Sequence, residues 1–174
     1  MGAPVVELSW QTPEDFDFVS SVCSHGFFAL APNWWDRRKR ALWTSVGIAT
    51  QAGTTQPRAY ALRLSWSARD RGGCLRAGLP HVDQLAPDHR AALRRAIERI
   101  LRLNEDLSPF HRQCISWPGL EPAGRMRFGR LLRSASFFED VVKTLCTCNI
   151  TWRQTVGIVS RIVEAYGRQT CNRP

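Results

Sequence analysis

Apolar and polar positions alternate between Arg58 and Trp66, where Tyr60, Leu62, Leu64 and Trp66 interleave with Ala59, Ala61, Arg63 and Ser65. A period of two marks a strand with one buried face. Val5 to Trp10 and Arg40 to Ile48 predict two more strands, and Cys74 to Leu79 an edge strand. The Gly53–Pro57 segment supplies a turn, and Arg69–Gly73 a further loop. Thr12 before Pro13, Glu14 and Asp15 predicts a helix with Thr as its cap, carrying Phe16, Phe18, Val19 and Val22 to about Cys23. Residues 24–36 read as an aromatic-rich turn broken by Pro32.

From Pro87 the period becomes helical. Leu93, Ile97, Ile100 and Leu101 form an inward face, and Arg90, Arg94, Arg95, Arg99 and Arg102 mostly point outward, as a solvated face or a DNA contact. Ser108-Pro109 starts a short helix, and Trp117 to Gly129, rich in Pro and Gly, reads as a loop between domains. Ser136 and Glu139 have the spacing of a capping box, in which each side chain satisfies an orphan backbone donor. Phe138, Val141, Val142 and Leu145 follow on one face, and Asn149, tolerant of the left-handed conformation, ends the run. Thr151 and Gln154 make a second box, Val156, Val159, Ile162, Val163 and Tyr166 a second stripe, and Gly167 a stop. Helices are thus expected over 136–148 and 152–166. Strands first and helices afterwards predict an α+β fold, an antiparallel sheet domain leading into an all-helical one. The boundaries are 1–116, an interdomain loop 117–130, and a helical part 131–174.

Charge sharpens this picture. The chain has 174 residues and a net charge of +9, yet residues 1–36 contain five acids and no Lys or Arg. All 24 basic residues lie from Arg37 onward, and only Lys39 and Lys143 are lysines. The planar guanidinium suits phosphate, and a GC-rich genome would also favour arginine codons. Arg125, Arg127, Arg130 and Arg133 cluster around the interdomain loop, as phosphate contacts or as solvated charges. Six scattered cysteines lack paired CxxC spacing, so neither a metal nor a cofactor is expected and reduced thiols of an intracellular protein are. No segment approaches the roughly 20 apolar residues of a membrane span, and the N-terminus lacks a basic start and apolar block.

Two stretches carry a resemblance. Cys23-Ser-His-Gly-Phe-Phe-Ala-Leu-Ala-Pro-Asn-Trp-Trp35 and Gly129 to Thr155, with its small residue, Phe-Glu-Asp and Cys-x-x-Asn, resemble the helix-hairpin-helix DNA glycosylases of the 3-methyladenine and 8-oxoguanine branch. The resemblance implies a sheet domain like half of the TATA-binding-protein fold, followed by the first helices of the all-α glycosylase domain. It implies that the chain is the front portion of an enzyme cleaving the N-glycosidic bond of damaged bases in base-excision repair. Its partner would be double-stranded DNA holding a damaged base, in the nucleus of a eukaryote or the nucleoid of a bacterium. Asn149 resembles the asparagine that enters the minor groove beside the estranged base, and it also reads simply as a cap. Gln154 stands where the family keeps an arginine, with Arg153 one position away. Thr151 and Trp152 resemble the pair opening the next helix.

The family's catalytic groups, a glycine-containing hairpin and an aspartate, have no counterpart after Gly167. A shortened reading frame, a splice product or a natural truncation would each explain this, and no catalytic residue is expected within these 174 positions. Glu139 and Asp140 read as helix-start acids. The helix faces that full-length members cover are expected to be partly exposed, inviting a protein partner. The alternative to an enzyme fragment is a non-catalytic basic module binding DNA or protein.

Overall fold

The structure, a computed structural model, describes residues 5–48, 58–69 and 72–170. It is a mixed α+β fold. The chain runs β1 (Val5–Thr12), α1 (Phe18–Val22), a 3-10 turn (Gly26–Ala29), β2 (Trp34–Asp36), β3 (Ala41–Ile48), β4 (Arg58–Ala68) and β5 (Gly73–Pro80). Helices follow: α2 (Pro87–Leu101), α3 (Ser108–Ser116), α4 (Glu121–Arg125), α5 (Phe137–Leu145) and α6 (Trp152–Tyr166). The five strands form one antiparallel sheet in the order β1-β5-β4-β3-β2.

Alternation sets the two faces of the sheet. Leu8, Leu42, Val46, Leu62, Leu64, Leu75, Ala77 and Leu79 point to one side and are buried. Leu93, Ile97, Ile100 and Leu101 of α2 join that core, as do Phe16, Phe18 and Val22. The inward face of α2 is the one predicted. Of its arginines, Arg94 donates to the Ser9 carbonyl at 3.1 Å and lies over the Trp10 ring. Arg99 pairs with Asp140 at 2.8 Å and Arg102 with Glu105, so these three are engaged by the fold.

Four local expectations are corrected. Thr12 does not cap the first helix: it stays in β1, and the Asp17 carboxylate accepts from Ser20 N at 2.7 Å instead. Strand β5 is interior, because β1 adds beyond it. Residues 117–129 are not all loop. They contain α4, which packs so tightly on α3 that a Cβ on Gly124 would lie 2.6 Å from the His111 carbonyl. At α5 only half of the capping box forms: Ser136 accepts from Glu139 N at 3.2 Å, whereas the Glu139 carboxylate turns to Lys143 at 2.7 Å. The turn expected at Gly53–Pro57 lies outside the described residues, as do Asp70 and Arg71 of the expected loop at 69–73.

The later helices are tied to the earlier part by polar bonds. Arg133 N donates to the Ile100 carbonyl at 2.9 Å, and Asp140 accepts from both Ser134 N and Arg99. Gly167 stops α6 as expected, but at φ −68° it is not left-handed. Glycine is needed there because a Cβ would run into the Val163 carbonyl.

Candidate nucleic-acid interface

Helix α5 ends earlier than expected. Thr147 N and Cys148 N bond back to the carbonyls of Thr144 and Leu145 at 3.0 and 3.1 Å, a tightened last turn. The chain reverses at Asn149, whose φ of 57° is left-handed. Few residues other than Gly accept that conformation, and Asn is one. Helix α6 then starts from a complete capping box. Gln154 N donates to Thr151 Oγ1 at 3.4 Å and Thr151 N to Gln154 Oε1 at 2.9 Å.

Thr155 fixes this turn. Its buried hydroxyl lies 3.0 Å from the Cys146 carbonyl and 3.3 Å from that of Thr151, so it bridges the end of α5 and the start of α6. Asn149 is therefore a solvent-exposed residue at the tip of a braced turn. Thr151 and Arg153 flank it, both exposed. Trp152 lies against Gly26, where a Cβ would overlap its indole.

The arginines around residues 117–133 do not form one cluster. Arg130 is withdrawn from solvent: its guanidinium pairs with Asp15 at 2.7 Å, donates to the carbonyls of Arg102 and Glu105, and lies 5.7 Å from the Phe16 ring centre. It is a strut, not a surface cation. Arg125 is exposed and bonded to Glu121 at 2.9 Å, and Arg133 is half-buried, 3.5 Å from Glu105. Arg127 is exposed, left-handed at φ 56°, and makes no ion pair among the described residues. The fold thus presents Asn149, Thr151 and Arg153 together on one turn, and Arg125 and Arg127 on the α3–α4 hairpin.

Two further side chains escaped sequence reading. Lys143, on α5, is 2% exposed, its ammonium held by Glu139 and 5.9 Å from the Phe27 ring. His25 Nδ1 accepts from Phe27 N at 3.1 Å, and Nε2 donates to the Leu132 carbonyl at 2.9 Å. Burial pushes the His25 pKa down, against an opposing pull from the Leu132 carbonyl and Asp140. The hydrogen bond from Arg102 holds the Glu105 carboxyl below its ordinary range, with the charges of Arg133 and Arg130 adding to it.

The apolar faces of the last two helices are only partly covered. Val159 is buried, whereas Phe138 is 77% and Tyr166 85% exposed. A cavity of about 350 Å³ separates them from the sheet, bordered by Pro32, Ala59, Phe138, Val142 and Lys143. Cys23, Cys74, Cys114, Cys146 and Cys148 are free thiols; Cys171 lies outside the described residues. Among the described residues no group of His, Cys, Asp or Glu could hold a metal ion, and no helix is long and apolar enough to cross a membrane. No protein family, curated protein or solved structure matches the chain.

Proposed function

We propose that this chain is the N-terminal, DNA-engaging portion of a DNA glycosylase that removes damaged bases in base-excision repair. The supporting observation is the α5–α6 turn. Its exposed, left-handed Asn149 is braced by Thr155 and flanked by Arg153. A base flipped out of a duplex leaves its partner unpaired, and a short amide on a rigid tip can fill that gap and hydrogen-bond there. On this reading the sheet and α2 form the half like the TATA-binding-protein fold, and α5 and α6 begin the glycosylase domain. The partner is double-stranded DNA in the nucleus or nucleoid. We further propose that these 174 residues by themselves do not release bases.

Fluorescence anisotropy with two duplexes, one intact and one holding a single abasic analogue, tests this. The chain should prefer the abasic duplex, and Asn149→Ala should abolish the preference while leaving binding to the intact duplex. Equal affinity for both duplexes, unaltered by the substitution, would remove the basis of the proposal. Base release from a lesion-bearing duplex would refute its non-catalytic part.

The net charge of +9 and the exposed Phe137, Phe138 and Leu145 favour a second reading, a non-catalytic basic module that binds DNA or docks a protein. DNA binding that shows no lesion preference would support it.

A further inference from the structure

The core takes the even-numbered side chains of β3 and β4, so the odd-numbered ones lie on the outer face of the sheet. There Trp34 of β2 stands directly opposite Trp43 of β3, and Trp43 directly opposite Arg63 of β4. Residues opposed in this way have Cβ atoms about 4.5–5.5 Å apart. Trp34, Trp43 and Arg63 therefore occupy one continuous row of positions across three strands. The next row pairs Ser45 with Ala61, two small residues that leave a shelf beside the rings.

A groove of about 660 Å³ opens on this shelf, between the sheet and the segment that follows α6. Trp34, Trp43, Ser45, Glu164, Arg168 and Gln169 are among its walls. Trp34 is 59% exposed, and Arg63 makes no ion pair among the described residues. None of these residues belongs to the α5–α6 turn.

We propose that this groove binds a single-stranded nucleic acid, with bases stacked on Trp34 and Trp43 and the backbone running past Arg63. Stacking on indoles tolerates any base, because every base has a π-face, and a neighbouring cation tracks the phosphates. An open antiparallel sheet with aromatic side chains on its outer face allows bases to splay across it. The walls hold one carboxylate, Glu164, and one amide, Gln169, but Arg168 in the wall and Arg63 in the aromatic row outnumber that carboxylate, so the charge favours a polyanion over a neutral sugar. The cation is in the aromatic row itself, and the chain carries +9. The site is independent of the duplex-binding turn, so either assignment stands without the other.

The test is anisotropy of a labelled oligothymidylate of about 12 nucleotides, within the roughly 4–16 that such sites cover. Trp34→Ala and Trp43→Ala should each weaken binding at least about fivefold. Arg63→Gln should lower the salt slope by about 0.7. Circular dichroism melting checks that each variant folds. On the unaltered chain, an abasic oligomer of equal length should bind more weakly than the oligothymidylate. Equal binding of the abasic oligomer, or folded tryptophan variants that bind as the parent does, would overturn the proposal. So would binding of a cello-oligosaccharide that is lost in those variants while the oligothymidylate is unaffected.

Discussion

The Arg130 guanidinium lies 2.7 Å from the Asp15 carboxylate, across 115 positions of sequence, and both side chains are buried. Asp15 also accepts from Leu107 N at 3.0 Å. The pair therefore joins the start of the chain, the end of α2 and the segment before α5. Removing one partner of a buried pair leaves the other charge uncompensated, which costs about 3–5 kcal/mol. Arg130→Met is expected to lower the urea midpoint accordingly while leaving duplex affinity unchanged wherever the protein is folded. A melt that matches the parent would show that the pair contributes nothing.

Arg127 and Arg153 should behave in the opposite way. Each is exposed, so replacement by alanine is expected to leave the melt within about 0.5 kcal/mol. Where the arginine neutralises one phosphate, its removal should reduce the slope of log K against log salt by about 0.9 on duplex DNA. The reduction should be similar for duplexes of any sequence, because phosphates carry no base information. Titrations at several salt concentrations read both quantities, and slopes that do not change would place the DNA elsewhere.

His25 makes stability depend on pH. Only the neutral imidazole can accept from Phe27 N and donate to Leu132 O at once. Its folded pKa is lowered from 6.5, so near and below that value the unfolded chain binds more protons. Stability should therefore decline as pH falls from about 6.5 through the folded value. Glu105 acts at lower pH. Its folded pKa is depressed, so its contribution is complete above 4.5 and is lost as pH falls through the depressed value. His25→Asn, which keeps a cap acceptor, should remove the upper part of the decline in a series of thermal melts and preserve the lower. An unchanged upper part would exonerate His25.

Gly26 and Trp152 share one space. Gly26→Ala would put a methyl group where the indole lies, and overpacking of this kind costs about 1–3 kcal/mol. The double variant with Trp152→Ala is expected to lose less than the two single effects summed, because the second change removes the clash. Additive losses would mean that the two residues do not press on each other.

Much of this fold was legible because single-residue patterns dictate it. The alternation in β4, the Leu93–Leu101 face and the Thr151 box depend only on neighbours in the chain. Asn149 at positive φ was legible for the same reason. The errors arose where a distant partner decides. Arg130 reads as one more surface cation until Asp15 is seen beside it, and the acidic first segment was the one available hint of an internal counter-charge. Thr12 fits a cap pattern, but pairing opposite Gly73 holds it in the sheet. Thr155 carries no signal, since its hydroxyl matters only because α5 ends beside it.

The strand order has a consequence for synthesis on the ribosome. β3, β4 and β5 meander, each pairing with the strand just made, but Val5 of β1 pairs with Pro80 of β5. β1 must therefore wait until β5 has been translated, without that partner in the meantime. Pairings this remote close late, after most of the loop entropy has been lost. A waiting strand that offers Leu8 and Trp10 is also a sticky one. The nascent chain is thus expected to be most vulnerable between the translation of Thr12 and that of Pro80, the interval in which a chaperone would be of greatest use.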